Sequence, residues 1–221
     1  MTERDELRQR DCLERKCNRL GRVMPRVVDL VCGMKIVSRQ RQRIVPFAQG
    51  DVVEIGFGSG LNLPHYDWDQ VRSVTGINPD DGLPRLGWKA IAQQEKPIEL
   101  LVESAEAMSL PDQVTDSVVV TYSLCSIPDV DAALSEARRI LKPNGKLFFC
   151  EHGLSCRPLV ANLQHSLTPP WRWMASGCHL NRDIGTLVRA AGFEMEAYDI
   201  YDLGFGSRVF GTHHVGSAVK R

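Results

Sequence analysis

Beyond residue 50 two kinds of hydrophobic pattern alternate along the chain. Short apolar runs at residues 51–55, 73–77, 98–102, 117–122 and 146–151 read as strands. All but the third are rich in Val, Ile or Phe, as strands covered on both faces are. Between them the apolar spacing lengthens to that of helices. The clearest case is residues 129–141, where Val130, Ala133, Leu134, Ala137, Ile140 and Leu141 recur at spacings of three and four. Lys142-Pro-Asn-Gly145 then stops the helix and turns the chain. Residues 181–191 predict another helix, closed by Gly192, and residues 194–201 and 213–220 alternate like two final strands. The order is βαβαβαβαβ, a helix, and a two-strand finish, which predicts an α/β fold on a mostly parallel sheet.

The first 48 residues follow a different pattern and read as a helical extension ahead of one domain at 49–221. Residues 3–20 suit an amphipathic helix, and residues 24–37 a more apolar one interrupted at Gly33. Formal net charge is zero, yet residues 1–50 hold 12 Lys+Arg against 6 Asp+Glu and the rest 15 against 21. A basic amphipathic arm on an acidic body leaves open a peripheral membrane contact through anionic lipid, a contact with the protein's own acidic surface, or a solvated, charged helix face. It lacks the interleaved aromatics of nucleic-acid binders, so no nucleic-acid partner is expected. No apolar run is long enough to span a membrane, and no signal-peptide pattern is visible. Seven cysteines without a C-x-x-C pair predict reduced thiols in a cytoplasmic protein and no zinc or other metal site. Oligomeric state is not legible.

The most informative stretch is Asp51-Val-Val-Glu-Ile-Gly-Phe-Gly-Ser-Gly60. A strand runs into glycines at alternate positions, Gly56, Gly58 and Gly60, where a tight turn lets backbone N–H groups approach a ligand. Dinucleotide enzymes space these glycines G-x-G-x-x-G; here the third comes one residue early, which disfavours a nicotinamide cofactor. Glu54 stands inside the strand, where an acid must receive hydrogen bonds.

Those two departures resemble motif I, E-x-G-x-G-x-G, of the class I S-adenosylmethionine-dependent methyltransferases. Thr75-Gly-Ile-Asn-Pro79, Val102-Glu-Ser-Ala-Glu-Ala-Met-Ser-Leu-Pro111, Asp116-Ser-Val-Val-Val-Thr-Tyr-Ser-Leu-Cys125 and Arg138-Arg-Ile-Leu-Lys-Pro-Asn-Gly-Lys146 resemble the family's later segments in order. The resemblance covers roughly residues 45–220. It implies a Rossmann-like sheet with a C-terminal antiparallel strand, and S-adenosylmethionine as cofactor with S-adenosylhomocysteine as product. Cofactor contacts would fall on Glu54, Gly56, Gly58, Gly60, Asn78, Ser104, Ala105 and Ser123. Where the family places an acid for the ribose hydroxyls this chain has Asn78, with Asp80 and Asp81 close behind.

Leu61-Asn-Leu-Pro-His-Tyr66 is similar to ubiquinone and phospholipid methyltransferases. Tyr122-Ser-Leu-Cys-Ser-Ile127, Phe149-Cys-Glu-His152 and Ser176-Gly-Cys-His-Leu-Asn-Arg182 look like the methyltransferase-like 7 proteins, which methylate thiols and carry an N-terminal hydrophobic anchor. No such anchor is expected here, where the first residues form the basic amphipathic segment. The resemblance implies a small-molecule acceptor, a thiol first, with a quinone, phenol or phospholipid amine as alternative. A non-catalytic cofactor-binding adaptor is the reading of another class. In open α/β sheets the site lies at the carboxyl ends of the strands, which makes Cys125 and His152 the catalytic candidates, beside Glu151. Residues 155–179 are long for a connection and predict a lid insertion.

Overall fold

The computed structural model describes residues 29–79, 85–175, 177–203 and 208–221. The helix expected at 3–20, the start of that at 24–37, and Asp80 and Asp81 lie outside the described residues. Seven strands form one sheet: β1 Gly50–Ile55, β2 Val71–Asn78, β3 Ile98–Val102, β4 Thr115–Thr121, β5 Leu141–His152, β6 Glu194–Asp202 and β7 Thr212–Val219. Their spatial order is β3-β2-β1-β4-β5-β7-β6. The first five run parallel, and β7 is antiparallel to both β5 and β6. Strand order reverses between β1 and β4, and a crevice opens at the carboxyl ends there, as in other doubly wound sheets.

The sheet is apolar on both faces because successive residues point to opposite sides. Val118 and Val120 join one buried cluster with Ala133, Leu134 and Ala137 of helix α3 (Val130–Ile140) and Ile184 and Val188 of α5 (Ile184–Ala190). Val119 joins the other, with Ile44, Val45, Phe57, Leu63 and Tyr66. Helix α3 starts where Asp129 accepts the Ala132 N–H at 3.0 Å, a side-chain cap. Helix α5 starts the same way on Asp183 and Thr186 at 3.1 Å.

Three expectations change. The chain after Gly60 forms no α-helix; a single 3-10 turn, Leu63–His65, joins β1 to β2. Asn62, Leu63 and Tyr66 are all buried, and Pro64 withholds a donor from any helix here. No helix separates β3 from β4 either. There Arg139 of α3 clamps the chain, donating to the carbonyls of Met108 at 3.0 Å and Leu110 at 2.8 Å. Finally, β5 begins at Leu141, ahead of the Pro-Asn-Gly turn. That turn is an excursion within the strand, with Asn144 at φ +62° and the β4 register shifting between Thr115 and Ser117.

The described part of the extension is packed rather than free. The chain turns at Gly33, and α1 (Lys35–Arg41) runs four residues past the predicted end at Val37. Ile44, Val45 and Ala48 share the buried cluster of Val52 and Phe57, so residues before 49 contribute to the same core. Helix α2 is Arg85–Ala92 and α6 is Arg208–Gly211. The stretch predicted as an insertion carries α4, Pro158–Met174. Buried Gln164 locks it down, donating to Gly153 O at 3.1 Å and Val209 O at 3.0 Å. Among the described residues no helix is long and apolar enough to cross a membrane.

Candidate active site

The turn after β1 is built by its three glycines, all at positive φ: +75° at Gly56, +53° at Gly58 and +74° at Gly60. Gly56 is also a close approach, since a β-carbon there would lie 1.9 Å from Ser123 Oγ. At Gly58 a β-carbon would meet only Gly56 O, at 3.9 Å, so this part of the loop faces open space. The N–H groups of Gly56 and Phe57 donate to Ile77 O at 2.9 and 3.2 Å, and that of Gly60 to Phe57 O at 3.0 Å. Among the described residues the N–H groups of Gly58 and Ser59 have no partner. Two backbone donors at an open apex suit an anionic ligand group.

Glu54 is turned away from that apex. Its carboxylate accepts from Asn62 Nδ2 at 3.0 Å and Tyr66 OH at 2.7 Å, and Asn62 also donates to Thr121 Oγ1 at 3.0 Å. Burial raises the Glu54 pKa to about 7, against the opposing pull of those hydrogen bonds and the Arg41 charge. The acid therefore ties β1, the loop and β4 together. Asn62 and Tyr66 have no signature in the sequence as its partners; their burial beside a strand acid is a tertiary fact.

The other predicted cofactor residues lie along the same edge. Asn78 ends β2, half-buried, and its carbonyl accepts from Glu103 N–H at 3.0 Å. Ser104 and Ala105 follow β3, with Ser104 Oγ donating to Glu106 at 2.8 Å and Ala105 buried. Ser123 follows β4. Its N–H donates to Glu151 Oε1 at 2.8 Å and that of Cys125 to Oε2 at 3.2 Å. The Leu124 N–H also stabilises this carboxylate, yet burial still lifts the Glu151 pKa to about 7. Glu151 thus shapes the loop after β4 from the end of β5.

Next along β5, His152 is buried. Its Nδ1 lies 3.9 Å from Cys178 Sγ, and among the described residues its Nε2 has no partner. Cys125 is buried beside them and Cys178 is partly buried. Arg182 holds the β4 loop in place through Leu124 O and, at 3.3 Å, Pro128 O. The structure thus gathers Cys125, His152 and Cys178 from three separate segments. His165 stands apart, bonded to Asn181 at 2.9 Å.

Two features were not legible in the sequence. Arg41, in the basic segment, is buried, stacks 4.8 Å above the Tyr122 ring and donates to Cys32 O at 2.7 Å. Asp29 accepts from Ser59 Oγ in the glycine loop. Both bring the segment before β1 onto the carboxyl edge of the sheet beside the glycine turn. A separate groove of about 640 Å³, lined by Arg43, Phe47, Gln49, Gln70 and Lys146 among others, lies toward the amino ends of the strands, away from this chemistry. Among the described residues no group of three or more His, Cys, Asp or Glu is placed to hold a metal ion.

The fold and the glycine edge together define a methyltransferase, and comparison with known proteins agrees. Residues 53–149 match the family described as a methyltransferase domain. The fold is similar to that of a putative methyltransferase from Bacillus halodurans C-125, with TM-score 0.67 and 14% identity, covering 83% of this chain and 97% of that one. The chain belongs to the class I S-adenosylmethionine-dependent methyltransferases, and S-adenosylmethionine is its cofactor. Within that class it is similar to thiol S-methyltransferase TMT1B of Rattus norvegicus, 32% identical over 173 residues, covering 76% of this chain and 70% of the relative. It is also 31% identical over 146 residues to the ubiquinone/menaquinone biosynthesis C-methyltransferase UbiE of Bordetella avium, covering 57% of this chain and 55% of the relative.

Proposed function

We propose that the protein transfers the methyl group of S-adenosylmethionine to a small thiol at the carboxyl edge of β1, β4 and β5. The observation that carries this reading is His152, buried beside the β4 loop with an Nε2 that has no partner among the described residues. The similarity to thiol S-methyltransferases supports the choice of acceptor.

The donors at Gly58 and Ser59 take the amino-acid end of the cofactor, over the turn made by Gly56 and Gly60. Glu54 acts on that turn from behind, through Asn62 and Tyr66. Asn78 reaches the ribose hydroxyls, Ser104 and Ala105 flank the adenine, and Ser123 forms the floor. S-adenosylmethionine supplies an activated methyl group together with its own leaving group. What the chain adds is placement, exclusion of water and proton transfer. The thiolate is the reactive form of the acceptor, so a base is needed. With the His152 Nδ1–H directed at Cys178, Nε2 keeps its lone pair and accepts the acceptor proton. Cys125, buried beside His152 and Cys178, lines the same corner of the site.

Calorimetry with S-adenosylmethionine, followed by a methylation screen of small thiols, phenols and amines, tests this. Cofactor binding and thiol turnover are expected. Turnover of a phenol or amine without any thiol would move the acceptor assignment, cofactor binding without turnover of any acceptor would leave a non-catalytic cofactor-binding adaptor, and absence of binding would remove the enzyme reading. His152→Asn is expected to lower kcat by about 100-fold with little change in cofactor affinity.

A further inference from the structure

The site holds two thiols where a base and a cofactor edge require none. Cys178 follows Gly177, whose φ of +87° turns the chain back toward β4. The next residue ties the two segments together: His179 N–H donates to Cys125 O at 2.7 Å, and its Nδ1 lies 3.1 Å from the same oxygen. These two contacts on one carbonyl hold residues 125 and 178 side by side. The outer thiol, Cys178, is partly buried; the inner one, Cys125, is fully buried with Ser126 Oγ 3.5 Å from its sulfur.

We propose that Cys178 and Cys125 form an exchange-active dithiol that reduces small disulfides at the mouth of the methyl-transfer site, with Cys178 attacking and Cys125 resolving. The surroundings separate the two roles. Proximity to the Cys125 thiol, and then to His152, whose Nδ1 lies 3.9 Å from the sulfur, holds the Cys178 thiol well below its ordinary pKa, although burial opposes it. The same contact, with burial and the Glu151 charge, pushes Cys125 far above its own. Arg182 faces the pair as the neighbouring cation. An accessible thiolate over a protonated partner is the arrangement that exchange chemistry uses.

In the first step the Cys178 thiolate attacks one sulfur of R–S–S–R. A Cys178–S–R bond forms, the disulfide breaks and RS⁻ leaves. Cys178 then carries no negative charge, so one cause of the raised Cys125 pKa is gone. Cys125 loses its proton and attacks the Cys178 sulfur; the intramolecular disulfide forms and a second RS⁻ leaves. Two electrons pass from the dithiol to R–S–S–R, the released thiolates take up protons, and an external thiol reverses the exchange. None of these steps depends on which acceptor is methylated.

The test treats the reduced full chain with oxidised glutathione and maps its cysteines by mass spectrometry. A peptide linking Cys125 to Cys178 is expected, and in Cys125→Ser a persistent glutathione adduct on Cys178. Independently, iodoacetamide labelling of Cys178 is expected to stay nearly flat between about pH 5 and pH 8, whereas an ordinary thiol gains about tenfold per pH unit over that range. Absence of the linked peptide, or labelling of Cys178 that climbs like an ordinary thiol, overturns the proposal. Neither readout uses methyl transfer, so the proposal can fail without touching the acceptor assignment.

Discussion

Gly56 and Ser123 meet so closely that a β-carbon on residue 56 would lie 1.9 Å from Ser123 Oγ and 2.7 Å from its Cβ. This contact joins the first turn of the cofactor edge to the loop after β4. Gly56→Ala is expected to lower stability by about 2–4 kcal/mol, from overpacking together with strain at positive φ. Denaturant unfolding measures the loss. Adding Ser123→Gly should recover the steric part and leave the strain, so an unrecovered double mutant would contradict the contact.

Gly58 separates binding from folding. Its β-carbon would enter open space, so Gly58→Ala should cost only about 1–2 kcal/mol for the left-handed backbone. Cofactor affinity is expected to fall by more than that strain accounts for, because the methyl group stands where the ligand approaches. Calorimetry beside thermal melts distinguishes the two effects. Full affinity in Gly58→Ala would place the cofactor elsewhere.

Glu54 makes stability depend on pH. Its folded pKa of about 7 lies above the ordinary value of 4.5, so between these the native state holds a proton that the unfolded chain releases. Stability therefore falls as pH rises through that window. Glu54→Gln removes this term. The melting temperature of the variant relative to wild type should rise between pH 5 and pH 8, by the equivalent of roughly 2–3 kcal/mol. A difference independent of pH would mean that Glu54 titrates normally.

Arg41 is a buried cation stacked on Tyr122, with its other anchor the Cys32 carbonyl. Arg41→Ala is expected to cost about 2–3 kcal/mol in urea unfolding. Arg41→Lys should recover less than half, because an ammonium cannot stack and donate in the same plane. Recovery by lysine would reduce the role of Arg41 to charge alone.

Asn78 tests the ribose contact. Asn78→Asp should keep or improve S-adenosylmethionine affinity, since a carboxylate accepts from both hydroxyls, and Asn78→Leu should weaken it about tenfold. Equal affinities for all three by calorimetry would show that the ribose is held by another group.

The strands, helix α3 and the glycine turn were legible because their signals are local. A period of two or of three to four and a positive-φ glycine act over a few residues and survive in one dimension. The helix expected after Gly60 was misread because Asn62, Leu63 and Tyr66 are claimed by Glu54 and the core, which outweighs local preference. The basic segment read as a charged helix face, yet Arg41 is buried, because a cation can stack on an aromatic ring that the sequence places 81 residues later. Likewise Cys125, His152 and Cys178 carry no mutual spacing. Only the sheet order and the turn at Gly177 bring two thiols and an imidazole together. The sequence by itself determined the class of fold and the glycine turn after β1, through short-range backbone requirements. Tertiary structure decided which side chains meet at the carboxyl edge of the sheet, because such meetings are long-range contacts that no local pattern encodes.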